Sequence, residues 1–212
     1  MPDDVYNPLD RINLGKSVAE AALDRAPASL GEIEQFEGVG IYLIYYAGDC
    51  APYRLMSARN AEKPVWPIYI GKAVPSGARK GMSASTGRQL WNRLREHADS
   101  IRASDLDIDN FQCRYLIVDD IWIPLAESLL IARFKPVWNL VLDGFGNHDP
   151  GSGRYTGLRP LWDVLHPGRA WAEKCAARTE TAEELARRIE EHLSQNPPPA
   201  DPRMDFASHS PE

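Results

Sequence analysis

The residues with the clearest capacity for chemistry are Tyr42, Tyr69, Lys72, Arg93, His97, Glu127 and Asn139. Two of them sit beside glycines in short apolar runs, as Gly40-Ile41-Tyr42 and Tyr69-Ile70-Gly71. Arg93 and His97 are four residues apart, a spacing that stacks them on one face of a helix. Glu127 interrupts the run Leu125-Ala126-Glu127-Ser128-Leu129-Leu130-Ile131. A carboxylate there is costly to desolvate unless an arginine or a cation pairs with it. A plainer reading stands beside each: tyrosines in apolar strands also serve as core, and a glutamate also serves as a solvent-facing residue.

The elements that must position these groups are readable from pattern. Gly40 to Tyr46 and Trp66 to Gly71 are rich in β-branched and aromatic residues and read as an antiparallel strand pair, the second closed by Gly71-Lys72. Arg88 to Arg102 reads as a helix with Leu90, Trp91, Leu94, Ala98 and Ile101 as its core stripe. Phe111 to Val118 alternates as a third strand, and Ile121 to Phe134 is a second helix, left at Pro136 before Trp138-Asn139. Between the first two strands, Ala47 to Val65 is irregular, with a Tyr53-Arg54-Leu55-Met56 run expected to pair at a sheet edge. Lys72 to Gly87 reads as a mobile loop.

Outside this region, Asn13 to Arg25 reads as an amphipathic helix capped by Asn13 and ended by Pro27. Its Gly15-Lys16-Ser17 matches the end of a phosphate-binding loop, but Asp10 stands where that motif needs glycine, so the motif is rejected. Asp143 to Arg154 is too glycine-rich for regular structure and too varied for a linker, which implies that it touches something. Thr179 to Leu193 reads as a helix capped by Thr179 or Thr181. The expected organisation is an N-terminal helical extension (1–38), a core (39–140) carrying an insert (47–65), a C-terminal loop and helix packed on the core (141–196), and a disordered tail (197–212).

Composition narrows the function classes. Cys50, Cys113 and Cys175 are odd in number and far apart, which argues against a disulfide frame or a zinc knuckle. No run is apolar enough to span a bilayer, and the start Met1-Pro2-Asp3-Asp4-Val5 lacks a secretion signal, so a cytoplasmic location is expected. The net charge of -6 counts against nucleic acid as a partner. The distribution of charge points the other way, because between Ile68 and Arg102 the cations Lys72, Arg79, Lys80, Arg88, Arg93, Arg95 and Arg102 face only Glu96 and Asp99. An acidic chain can still offer phosphates one basic face.

With Arg93, His97, Glu127 and Asn139 following the Gly-Ile-Tyr and Tyr-Ile-Gly strands, residues from Val39 to Leu140 resemble the GIY-YIG nuclease superfamily. The resemblance implies an α+β fold, a small, mainly antiparallel three-stranded central sheet flanked by helices. Phosphodiester hydrolysis needs an activated water, charge stabilisation on the non-bridging oxygens and help for the leaving 3'-oxygen. By resemblance, Glu127 holds one hydrated Mg2+, for which Mn2+ substitutes. Arg93 clamps the phosphate and Tyr42 is the general base, while Tyr69 orients the water or phosphate and Asn139 braces the site. Because free tyrosine titrates near a pKa of about 10, Lys72, His97 or the metal-organised site must lower that value or take the proton onward. Arg79, Lys80, Arg88, Arg95, His148 and Arg154 are the expected DNA contacts.

The long insert and the lack of room for a separate recognition domain resemble the type II restriction endonucleases of this superfamily that cut GC-rich palindromes such as CCGCGG. That likeness implies double-stranded DNA as substrate, a homodimer on the palindrome, a cognate DNA methyltransferase, and no membrane partner. Repair or homing nucleases of the superfamily are the alternatives, as is a non-catalytic DNA-binding module, although no expected catalytic side chain is missing. A PD-(D/E)XK nuclease is excluded because no acid stands two residues before a lysine. An HNH reading would borrow His148 and His166, which lie in a stretch broken by proline and glycine.

Overall fold

A computed structural model describes Asn7, residues 9–75 and residues 87–200. Four strands form one antiparallel sheet in the order β1 (Ala28–Ser29), β4 (Phe111–Ile117), β2 (Gly40–Tyr46), β3 (Pro67–Ala73). The three expected strands are present, and the two-residue β1 is an addition on the far edge, paired through Ala28 with Cys113. The second strand does not stop at Gly71 but continues to Ala73, pairing with Gly40.

Every residue of β2 is buried, because it lies between two strands and both its faces are covered. Tyr42, Ile44 and Tyr46 face a cluster with α3 (Gln89–Arg102), α5 (Val137–Leu140), α6 (Leu161–Leu165) and α7 (Ala182–Gln195). Ile41, Leu43 and Tyr45 face α1 (Arg11–Leu23) and α4 (Ile123–Phe134). This two-sided burial explains why the strand reads as a continuous apolar run. The two signature glycines are close-approach positions: a Cβ on Gly40 would stand 1.9 Å from the Leu116 carbonyl oxygen, and one on Gly71 would stand 2.3 Å from the Tyr42 hydroxyl.

The insert differs from its expected form. Tyr53 to Met56 is not an edge strand; it enters α2 (Arg54–Asn60). Asn60 fixes that helix to the sheet, donating to the carbonyls of Tyr46 and Trp66 (both 2.9 Å) and accepting from the amides of Val65 (3.0 Å) and Trp66 (2.8 Å). One buried amide thus satisfies four groups, which local sequence pattern does not reveal. The helix packs against α7 and β2.

The terminal helices also shift slightly. The first is capped by Asp10, whose side chain accepts from the Ile12 amide, rather than by Asn13, and it closes at Leu23 before Pro27 is reached. The last is capped by Thr181 in a capping box with Glu184. Among the described residues, no helix is long and apolar enough to cross a membrane.

Candidate active site

The sheet brings the expected residues to its β3 edge from both faces. On the α3 face, Tyr42 Oη lies 2.6 Å from His97 Nε2, with both side chains buried. Tyr69 packs beside them, its ring centroid 6.2 Å from Tyr42 and 5.2 Å from His97. Arg93 lies one turn before His97 on α3 and is half-buried, donating through Nη2 to the Gly146 carbonyl at 2.8 Å. Its Nη1 meets Glu96 at 3.3 Å and also His148.

On the other face of β3, Lys72 Nζ donates to Glu127 Oε2 at 2.6 Å. Strand alternation sends Lys72 toward α4 and away from the Tyr42 hydroxyl, so of the two side chains considered for taking the tyrosine proton, only His97 is bonded to it. Asn139, on α5, clamps the open edge of β3: its Oδ1 accepts from the Ile70 amide at 2.9 Å and its Nδ2 donates to the Ile70 carbonyl at 2.8 Å. The clamp lands between Tyr69 and Gly71, where an edge strand has no neighbouring ladder.

Electrostatics hold the tyrosine and histidine neutral in the resting site. Burial raises the Tyr42 phenol well above its ordinary value, with Tyr69 adding and Arg93 opposing. Tyr69 is raised for the same first reason, and the nearby Glu127 carboxylate adds to both. His97 is held well below the usual histidine range by burial, followed by the charges of Arg93, His148 and Arg169. A neutral imidazole with Nδ1 protonated accepts the Tyr42 hydroxyl at Nε2.

Fit to a divalent cation rests on Glu127. The carboxylate is slightly solvent-accessible, at 15 % exposed, and Lys72 occupies Oε2 alone. No cluster of three or more His, Cys, Asp or Glu side chains able to hold a metal occurs among the described residues. One carboxylate completed by water suits Mg2+, which dehydrates reluctantly and takes few protein ligands, and suits zinc poorly.

The expected DNA contacts divide. His148 reaches Arg93, and with Arg154 it lines a cleft of about 490 Å³ that opens beside Gly146. Arg88 is exposed at the start of α3. Arg95 points away from Arg93, lying over Trp91 and pairing with Asp99 at 3.8 Å. Arg79 and Lys80 lie outside the described residues.

The loop after Leu140 contributes residues that pattern did not single out. Phe145 stacks on His97, with centroids 4.5 Å apart and planes 15° apart, and meets Tyr69 edge-on at 5.1 Å. The only signal for this is the unusual composition of Asp143 to Arg154. A family model described as the Eco29kI GIY-YIG domain matches residues 34–193. No curated protein matches the chain. The matched span takes in both signature strands, Arg93, His97, Glu127, Asn139 and the loop over His97, and the chain belongs to the GIY-YIG restriction endonuclease family that this model describes.

Proposed function

We propose that this GIY-YIG endonuclease is a type II restriction enzyme that cuts double-stranded DNA at a GC-rich palindrome. The observation that carries the mechanism is the 2.6 Å contact between Tyr42 Oη and His97 Nε2, with Arg93 on one side and Glu127 on the other. Attack on the phosphorus requires a proton to leave water. Tyr42 accepts that proton while passing its own to His97, so neither a free tyrosinate nor an imidazolium need accumulate beforehand. The opposed shifts keep both groups neutral at rest, so the negative charge of a bound phosphate must offset the burial that opposes an imidazolium at His97.

Arg93 binds the non-bridging phosphate oxygens. Its Nη1 end, where His148 and Glu96 are exposed, receives the phosphate, while the Gly146 contact on Nη2 sets the plane of the guanidinium. Tyr69 orients the water or phosphate, and Asn139 holds the strand that carries it. Glu127 would hold Mg2+, or Mn2+ in its place, and the bound cation supplies charge stabilisation for the leaving 3'-oxygen. His148 and Arg154 contact DNA from the adjoining cleft, and Arg79, Lys80, Arg88 and Arg95 are the further DNA contacts of this reading.

Glu127→Ala tests the metal role. Cleavage in Mg2+ is expected to vanish while duplex binding in Ca2+ persists; full Mg2+-dependent activity at wild-type stability would remove the assignment. One base and one cation site per chain hydrolyse one strand, so a double-strand break calls for two copies related by the two-fold axis of the palindrome. Light scattering on a short palindromic duplex in Ca2+ should give two chains per duplex. One chain per duplex, still producing double-strand breaks in a single encounter, would rule out the homodimer. A cognate DNA methyltransferase completes the system, and its gene is expected beside this one. Genome sequence that lacks it would argue for a repair or homing enzyme.

A further inference from the structure

Arg169 is 4 % exposed, lies in no regular element, and uses its whole guanidinium on one short loop and one acid. Nε donates to Asp163 Oδ1 at 2.6 Å, and Nη2 bonds Asp163 Oδ2 and the Gly144 carbonyl (2.9 Å). Nη1 donates to the carbonyls of Phe145 and Asn147, both at 3.1 Å. Trp162 and Trp171 flank the group, with centroids 4.7 and 4.8 Å from its central carbon. Every N–H of the fork therefore has a partner.

The pattern along the loop is selective. Arg169 takes the carbonyls of Gly144, Phe145 and Asn147, and the one it leaves, Gly146, accepts from Arg93 Nη2. Fixing three peptide planes around Gly146 sets the direction of the fourth carbonyl. It also sets the Phe145 ring that stacks on His97. The two groups proposed to bind the phosphate and to receive the proton are thereby indexed to one buried arginine far from both in sequence.

We propose that Arg169 is a positioning residue of the active site, holding the Gly144–Asn147 loop so that Gly146 orients Arg93 and Phe145 covers His97. The inference rests on the nuclease mechanism above. Lysine carries a charge but no planar fork, so it cannot hold three carbonyls and a carboxylate together.

The test is single-turnover cleavage by Arg169→Lys in two backgrounds, wild type and Arg93→Lys. In the wild-type background the rate should fall on the order of 100-fold, the scale of a misplaced catalytic group, with DNA affinity in Ca2+ preserved. In the Arg93→Lys background the same change should cost far less, because the group it positions is already altered. Equal losses in both backgrounds, or no loss in the first, would overturn the proposal. Gly146→Ala keeps Arg169 and guards against a folding defect. Its Cβ would stand 3.0 Å from both Arg93 Nη2 and Tyr69 Oη, so a slowed rate at an unchanged melting temperature is expected and a wild-type rate would overturn the link. The Arg93 guanidinium signals in a 15N spectrum supply a readout free of activity: they should be restrained in the wild type and lose that restraint in Arg169→Lys. If the wild-type protein cuts no DNA, the nuclease mechanism fails, and these signals alone decide the positioning role, unchanged signals overturning it.

Discussion

Among the described residues two buried tyrosine–histidine pairs occur, and only one sits where chemistry is expected. Tyr42 and His97 meet at 2.6 Å, and Tyr53 and His166 meet at 2.7 Å. Burial raises both phenols well above the ordinary tyrosine value. The surroundings differ. Tyr53 Oη also accepts from Trp138 Nε1 at 2.8 Å, and His166 Nδ1 donates to Asp105 at 2.9 Å. That chain of donors, from Trp138 through Tyr53 and His166 to Asp105, uses each polar atom and ends on a partly exposed carboxylate. Tyr42 and His97 instead have the neutral Tyr69 ring beside them and the charges of Arg93 and Glu127 near enough to act on the Tyr42 phenol. On this reading the Tyr53–His166 contact is a structural strut, its donors closed by Trp138 and Asp105, and the Tyr42–His97 contact is the one proposed as a proton path.

The sharpest way to break this contrast is to remove each hydroxyl in turn. Tyr42→Phe should lower the single-turnover cleavage rate by about 100- to 10,000-fold, the usual reach of general acid–base groups, and cost less stability than Tyr53→Phe, because it strands one buried partner, His97 Nε2, rather than two. An unchanged rate and pH profile would make Tyr42 a second strut. Tyr53→Phe should do the reverse. It leaves Trp138 Nε1 and His166 Nε2 buried without their partner, a loss of about 2 kcal/mol in stability, measurable by urea unfolding, with cleavage by the folded fraction intact. A large rate loss in folded Tyr53→Phe would erase the distinction.

The contrast is partly legible in the sequence. Tyr42, Tyr69, Arg93, His97, Glu127 and Asn139 can be placed because periodicity assigns each to a strand, a helix face or a helix exit, and short-range pattern carries that information. The two-sided burial of β2 is likewise visible in its unbroken apolar run. What stays hidden depends on contacts between distant segments. Tyr53 reads as part of a strand because a short apolar run suits either element, and only the Asn60 amide, tied to Tyr46, Val65 and Trp66, reveals the helix. His166 looks at most like a borrowed metal ligand, since nothing near it in sequence announces Tyr53 or Asp105. Lys72 and Glu127 lie 55 residues apart, and their pairing emerges only when β3 and α4 pack.

A smaller effect sharpens the comparison through pH. His97 is held well below the usual histidine range, first by burial and then by Arg93, His148 and Arg169, whereas the unfolded chain binds a proton there near pH 6.5, about the ordinary value. Below that pH the unfolded state holds more protons than the native state, so stability rises with pH across this window. The His97 contribution is fully present above about pH 6.5 and is lost as pH falls from there through the folded value, at a limiting slope of about 1.4 kcal/mol per pH unit. Tyr42 adds nothing in this range, because a raised phenol acts on stability only in the alkaline region above about pH 10. Urea unfolding of wild type and His97→Gln between pH 8 and pH 5 separates the effect from general acid sensitivity. The wild type should lose more stability than the variant as pH falls from about 6.5 toward 5 if the site stays closed. Parallel profiles would mean that the native site accepts a proton at His97 without penalty, and the neutral imidazole required to take the Tyr42 proton would then be absent at mildly acidic pH.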